Sequence, residues 1–224
     1  MTDLNPILLS FELAGITTFI LLIISIPLAY WLSATSNRVK PVIDTLVSMP
    51  LVLPPSVLGF YLLVAFSPAN FFGLFLRNIF NVRLVFSFEG LVIASLIYSL
   101  PFMVQPLQSG LESLPKSYKE AAETLGKGKL SILFNVLLPN IKPSLLTGIV
   151  ISFAHTIGEF GVVLMIGGNI PGKTRVASIA IYDEVESLNY HSANIYALTL
   201  FIITFIILLT VYYANHKYFR AGRT

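Results

Sequence analysis

Leu111-Glu112-Ser113-Leu114-Pro115-Lys116-Ser117-Tyr118-Lys119-Glu120-Ala121-Ala122-Glu123-Thr124-Leu125-Gly126 is polar, and it lies between two apolar windows. Gly90 to Leu111 on one side carries no Asp, Glu, Lys or Arg, and Pro143 to Gly172 on the other carries only Glu159. Each window is long enough to cross a hydrocarbon core about 30 Å thick, which takes about 20 helical residues. The charged stretch between them cannot lie in lipid and must rest on a membrane surface. Pro115, following Ser113-Leu114, is a helix-start signal. Ala121 and Ala122 give that helix a small, flat face, and Gly126 can end it in a conformation with positive φ. A second helical stretch ends at Leu138-Pro139. The segment 111–141 is therefore expected to be a surface helix–turn–helix. It is either a docking site for a partner or a solvated connector.

Further windows extend the pattern along the chain. Leu13–Leu32, Thr45–Leu76 and Ala193–Ala214 are free of Asp, Glu, Lys and Arg. With 55% hydrophobic and 11% charged residues over 224 positions, the chain lies far from soluble domains, which carry about 25% charged residues. The expected fold is an all-α integral membrane protein, a single domain over 1–224 with five transmembrane helices near 8–32, 44–67, 89–110, 142–167 and 193–214. The first reads as a retained helix, because it lacks the basic start of a signal peptide. A net charge of +3 without a Lys/Arg run argues against nucleic acid as a partner. Cysteine is absent, which excludes disulfides and thiolate metal sites.

Lys and Arg set the orientation. Arg38 and Lys40, then Lys116, Lys119, Lys127, Lys129 and Lys142, then Lys217, Arg220 and Arg223 fall on one side, ten in all. The other side has four: Arg77, Arg83, Lys173 and Arg175. The N-terminus is expected outside and the C-terminus in the cytoplasm. The second span holds Pro50, Pro54 and Pro55, beside Ser56. Prolines remove backbone donors, and freed carbonyls at membrane depth need protein or a water-filled cavity over them. The prolines mark either a pathway-facing kink or a plain structural one. The interrupted stretch 68–88 reads as an interfacial hairpin or short helix at the outer surface.

At Glu120-Ala121-Ala122, Gly126 and Val136-Leu137-Leu138-Pro139 the sequence resembles the EAA signature of ABC-importer permeases, with Val136 where that family often has isoleucine. A second set narrows the resemblance to the molybdate permease branch: Ser152-Phe153-Ala154, Ile157-Gly158-Glu159-Phe160-Gly161 and Gly168-Asn169-Ile170-Pro171-Gly172-Lys173-Thr174. The sulfate branch is similar in its Gly-Glu-Phe-Gly part. The resemblance covers about 8–214 and implies the type I ABC importer permease fold in a prokaryotic plasma (inner) membrane. It also implies coupling to the ATPase through Lys116, Tyr118, Glu120, Ala121, Ala122, Leu125, Gly126, Leu138 and Pro139. The implied partners are a second copy of the chain, two cytoplasmic ABC ATPase subunits, an extracytoplasmic oxyanion-binding protein and membrane lipid. The chain itself is expected to bind no cofactor, ATP and Mg being used by the ATPase. Pro54, Pro55, Ser56, Ser152, His155 and Thr156 are candidates for the translocation pathway. Asn169, Lys173 and Arg175 are candidates for its outer mouth. Tungstate or sulfate is an alternative cargo.

Two features point elsewhere. Gly167 to Thr174 matches the phosphate-loop pattern G-x-x-x-x-G-K-[ST]. Here, however, it follows a membrane span, and Pro171 removes an N–H group that a phosphate cradle uses, so a tight external turn is expected. His155 and Glu159 lie four apart within a span, where ionisable residues carry functional weight. An ionised Glu159 would repel a dianion, so a backbone donor or a partner helix near the outer boundary is its expected partner. The acidic stretch Tyr182 to Glu186 reads as an external solvated surface. An ion-coupled secondary transporter or a membrane enzyme would need a midplane ion site or clustered His, Asp and Glu, and neither is evident in the sequence.

Overall fold

A computed structural model describes residues 3–221, with residue 80 and residues 214–221 in backbone only. Of the cationic tail, Arg223 lies outside the described residues, and Lys217 and Arg220 are described in backbone only. The regular elements of the described residues are all helical. In chain order they begin with α1 (Asn5–Ala34), α2 (Lys40–Val52), α3 (Pro55–Phe66), α4 (Phe71–Phe80) and α5 (Phe88–Glu112). Next come α6 (Lys116–Thr124), α7 (Lys129–Ile132), a π-turn at Leu133–Leu137, α8 (Leu138–Asn140) and α9 (Lys142–Gly158). The chain closes with α10 (Gly161–Gly167), α11 (Ala177–Glu186) and α12 (Tyr190–Ala221). Helix starts follow the chemistry of their first residues. Pro6, Pro41, Pro55 and Pro143 occupy first-turn positions, where the missing N–H costs nothing. Ser87 caps α5 by accepting from Gly90 N at 3.1 Å.

α1, α5 and α9 pack against one another and form the core. Leu13, Leu21 and Leu32 of α1 and Leu91, Met103 and Leu107 of α5 are fully enclosed there. In lipid the apolar effect between helices vanishes, so close van der Waals packing holds such a core. Ala14, Ala29, Ala94, Gly110 and Gly148 are buried in it, and their small size lets the backbones approach. α12 stands apart, with only 6% of its most apolar window buried. Leu198, Phe201 and Phe205 on it are exposed, which suits contact with acyl chains.

Among the described residues, three helices are long and apolar enough to cross a membrane unbroken: α1, α5 and α12. Two further apolar helix pairs are sharply bent. α2 and α3 meet at 112°, and the 129–140 stretch meets α9 at 81°. The second expected span, 44–67, is thus two helices rather than one kinked helix. The cause is Pro54-Pro55, since each proline drives the residue before it into extended conformation. Leu53 has ψ 134° and Pro54 has ψ 136°. Pro50 is carried inside α2. The fourth expected span, 142–167, is also interrupted. α9 stops at Gly158, Glu159 is extended, and α10 starts at Gly161. The stretch after α6 runs on to Asn140 rather than ending at Leu138-Pro139. The π-turn just before Pro139 shifts the hydrogen-bond register where the ring would otherwise meet the preceding turn.

The two ends of the bundle are distinct. Lys40 Nζ donates to Glu112 Oε1 at 2.9 Å, so the start of α2 and the end of α5 share one end with α6. At the other, Phe86 N donates to Ile166 O at 2.8 Å and Ala177 N to Ser10 Oγ at 2.8 Å. α4 follows α3 at this second end, with Phe71, Phe72 and Ile79 exposed. It is the short helix expected within 68–88.

Candidate functional site

The two helix breaks meet. Gly161 packs on Pro55, and Gly59 of α3 packs on Val162 and Met165 of α10. Around this junction opens a recess of about 620 Å³ lined by Pro55, Ser56, Tyr98, His155, Glu159 and Gly161, among others. Tyr98 is ten residues into the 25-residue α5, about 15 Å at helical rise, so the recess lies towards the middle of that helix.

Of the six pathway candidates, Pro55, Ser56 and His155 line this recess. Pro54 is exposed at the break but is not part of the wall. Ser152 and Thr156 are buried behind the wall against α5. Thr156 Oγ1 donates to Ser152 O at 2.9 Å and lies 3.1 Å from Ser99 Oγ. Neither hydroxyl can reach an ion in the recess without a rearrangement of α9. Thr156 ties α9 to α5 through Ser99, whereas the enclosed Ser152 hydroxyl has no hydrogen-bond partner among the described residues.

His155 is held from three directions. Its ring stacks on Phe102 at 4.0 Å and lies 4.9 Å from Tyr98, while Nδ1 is 3.1 Å from Ser99 Oγ. Tyr98, Ser99 and Phe102 were not singled out in the sequence. Two aromatic residues four apart around a serine, inside a charge-free span, were the available signal. Glu159 is buried, and its Oε1 accepts from Val162 N at 2.9 Å. It therefore lies just ahead of α10 and caps its first turn from outside, an arrangement that favours a negative group. The Glu159 carbonyl accepts from Ser178 Oγ at 2.6 Å, tying the break to α11. No group of three or more His, Asp or Glu that could hold a metal ion is found among the described residues. The recess brings hydroxyl and imidazole groups together with the Glu159 carboxylate in an aromatic frame.

At the lysine-rich end, α6 ends as its sequence suggests. Gly126 has φ 72°. Lys127 N donates to Ala122 O at 3.1 Å and Gly126 N to Glu123 O at 2.9 Å, a complete Schellman closure. Ala122 faces inward and packs in one cluster with Leu111 and Leu137. Lys116, Tyr118, Glu120, Ala121, Leu125 and Pro139 are exposed, and Leu138 is half-buried. Leu125 is 78% exposed and Leu130 73%. These two bare leucines, at the end of α6 and within α7, stand out on an otherwise polar surface. Between α6 and the end of α1 lies a recess of about 340 Å³ bordered by Tyr30, Glu112, Lys116, Lys119 and Glu120.

At the opposite end, the Gly167–Thr174 loop closes on itself. The backbone N–H groups of Lys173, Thr174 and Arg175 all donate to Ile170 O, at 3.1, 3.0 and 3.1 Å. Buried Thr174 donates from Oγ1 to Gly167 O at 2.7 Å and accepts from Ile170 N. These N–H groups are spent inside the loop, so it is a turn and not a phosphate cradle. Asn169 and Lys173 are exposed there. Arg175 is turned onto α11, 2.6 Å from Asp183 and 3.5 Å from Glu184, so its charge is already compensated. The acidic stretch is thus partly an internal counter-ion. Its Tyr182 phenol is pushed up by a hydrogen bond to the Glu186 carboxylate.

This architecture has known counterparts. A bacterial ABC transporter involved in the import of the acidic polysaccharide alginate superposes with a TM-score of 0.80, over 96% of this chain and 79% of that one, at 15% identity. The molybdenum transport system permease protein ModB of Azotobacter vinelandii is 45% identical over 98% of this chain and 96% of its own length. The sulfate transport system permease protein CysT of Salmonella typhimurium is 34% identical over 77% of this chain and 62% of its own. Residues 13–222 match the family described as the binding-protein-dependent transport system inner membrane component. With a match over nearly its whole length and the broken-helix bundle just described, the chain belongs to that family of multi-pass inner-membrane transport subunits.

Proposed function

We propose that this chain is the transmembrane permease subunit of an ATP-driven importer of molybdate. One observation carries the choice of cargo: 45% identity over 98% of the chain to a molybdenum permease, against 34% over 77% for the sulfate relative. Two copies of the chain enclose the passage, with the recess at Pro55, Ser56 and His155 on its wall. The N-terminus and the Gly167–Thr174 loop face outward, where an oxyanion-binding protein delivers the cargo, and Asn169 and Lys173 border the outer mouth. The lysine-rich end faces the cytoplasm, as the excess of cationic residues there requires.

Two ATPase subunits, which use ATP and Mg, dock on α6 and the residues around it. Tyr118, Ala121 and Leu125 supply the apolar footing, while Lys116 and Glu120 supply charge. The ATPases shift the permease only if their ATP-bound and ATP-free forms contact α6 differently. α6 is joined directly to α5 and, through α7 and α8, to α9, and both of these helices border the recess. Movement at the cytoplasmic surface therefore has two covalent routes to the helix breaks, along α5 and along α9. A polar path is needed because carrying a bare dianion through hydrocarbon costs on the order of tens of kcal/mol.

Deletion of the gene tests the assignment. Cellular molybdenum and tungsten are measured across external molybdate at low and high sulfate. Molybdenum loss at low supply, rescued by excess molybdate and indifferent to sulfate, is expected. Intact molybdenum with impaired sulfur uptake would move the cargo to sulfate.

A further inference from the structure

The hairpin between α3 and α5 carries cations without acids. From Thr45 to Phe88 the only charged residues are Arg77 and Arg83. Both are exposed, and neither has an ion pair among the described residues. Glu89, the first acid beyond them, is exposed in the first turn of α5. Phe71, Phe75 and Ile79 recur every fourth residue on one face of α4, and all three are exposed. Gly73, on the opposite face, seats α4 on the end of α3, where an added Cβ would collide with Ser67 O. Arg77 lies one turn from Gly73 on that side, so the apolar face is turned away from the protein. Between the end of α3 and the segment 82–86 opens a recess of about 510 Å³. Leu63, Val64 and Phe86 give it an apolar wall, and Ser67, Asn70 and Arg83 stand at its polar rim. Asn70 Nδ2 donates to Val64 O, and Ser67 Oγ accepts from Ala69 N at 3.3 Å. The Ser67 hydroxyl proton and the Arg83 guanidinium remain to meet an anion. Val57, Phe60 and Val64 are exposed and spaced three and four apart, so an apolar track continues from the recess along α3.

We propose that this recess is a binding site for an anionic phospholipid, with the phosphate held by Arg83 and Ser67 and an acyl chain laid along Val64, Phe60 and Val57. The arginine fork matches two phosphate oxygens. No carboxylate lines the recess to hold the ammonium of a zwitterionic headgroup, so a lipid with net negative charge, such as phosphatidylglycerol, is favoured. α4 lies in the same headgroup layer with Phe71 and Ile79 turned to the acyl chains, the usual seat of an amphipathic helix at a membrane surface. A second copy is a poorer occupant. A two-fold contact here would bring arginines together with no acid between Thr45 and Phe88 to compensate them. A free oxyanion would engage the rim but leave the apolar wall and the track uncovered. The bound phosphate bridges the end of α3 to the segment that Phe86 N ties to Ile166 O of α10 at 2.8 Å. The lipid thereby braces α3 against α10. The inference goes beyond the permease reading and does not depend on the cargo.

The assembled transporter is placed in phosphatidylcholine vesicles that contain a trace of phosphatidylglycerol with a diazirine in its acyl chain. After illumination, adducts on this chain are mapped by mass. The expected result is adducts on the 57–64 segment that unlabelled phosphatidylglycerol competes away and that inorganic phosphate and molybdate do not. Arg83→Gln should lower these adducts about fivefold, the worth of one basic residue at an anionic lipid surface, while adducts on the exposed face of α12 stay unchanged. Arg83→Lys keeps the charge and should lie nearer the parent. The competition arm uses the parent chain, so it decides the matter even if a variant fails to assemble. Adducts on 57–64 that follow those on α12 in every variant and competition would mean bulk lipid only, and overturn the site. Competition by inorganic phosphate or molybdate would give the rim to a free oxyanion and overturn the lipid. The chain contains no cysteine, so a disulfide between two copies of Phe60→Cys, in place of adducts, would show that a second copy covers α3 and would also overturn it. Molybdate uptake by the same vesicles reports separately on the permease reading.

Discussion

Gly161 rests directly on Pro55: a Cβ added at Gly161 would stand 2.7 Å from Pro55 Cβ. The contact joins the two helix breaks, one made by prolines and the other by a glycine-flanked glutamate. Gly161→Ala must push α10 off α3 by several tenths of an ångström. Overpacking of this kind costs about 1–3 kcal/mol. The expected outcome is a lower unfolding temperature of the purified complex together with reduced uptake. Unchanged values of both would mean that the junction is loose and that the recess does not depend on it.

Leu125 tests the docking surface without touching the core. Its side chain is 78% exposed and lies on the Ccap residue of α6, so Leu125→Glu should leave the chain folded and inserted at its usual level. The Schellman closure at Gly126 uses only backbone groups and survives the change. Co-purification of the ATPase subunits should fall at least about tenfold, because a buried charge replaces an apolar anchor. Normal ATPase recovery with normal uptake would remove Leu125 from the interface.

The sequence carried much of this architecture. Its charge-free windows locate the long helices α1, α5 and α12, because hydrocarbon thickness fixes the length of an apolar run. The end of α6 was legible at Gly126, since a left-handed residue there favours glycine. Pro54-Pro55 announced a break but not its size, because proline geometry fixes local dihedrals and not the packing that follows. The interruption at Glu159 was less visible. Its signal was a polar residue between Gly158 and Gly161, and the hydropathy of 142–167 hides that. Ser152 and Thr156 illustrate the remaining limit. Their residue types suit an oxyanion, yet their direction depends on how α9 rotates against α5, a tertiary matter that spacing alone does not decide.

Glu159 separates a capping role from a charge role. Its Oε1 accepts from Val162 N, and Gln retains an acceptor there while Ala does not. Glu159→Ala should cost about 0.5–2 kcal/mol, the range for losing a cap, and should lower both the thermal stability and the uptake rate. Glu159→Gln should remain close to the parent in stability. If Gln were as damaging as Ala, the negative charge itself would be required and capping would not explain the residue.

The loop at Gly167–Thr174 gives opposite expectations for neighbouring residues. Lys173 is exposed and has no ion pair among the described residues, so Lys173→Ala should leave stability unchanged. Thr174 is buried, and its hydroxyl both donates to Gly167 O and accepts from Ile170 N. Thr174→Val keeps the shape and strands both partners, a loss of about 1–3 kcal/mol, read as a lower unfolding temperature and less chain in the membrane. A nucleotide-binding loop would reverse this ranking, since its lysine reaches the phosphates. Photo-crosslinking with an azido-ATP in the assembled complex should therefore mark the ATPase subunits and not this chain, with the signal indifferent to Lys173→Ala. Labelling of this chain that disappears in Lys173→Ala would restore the phosphate-loop reading despite the inward-turned N–H groups.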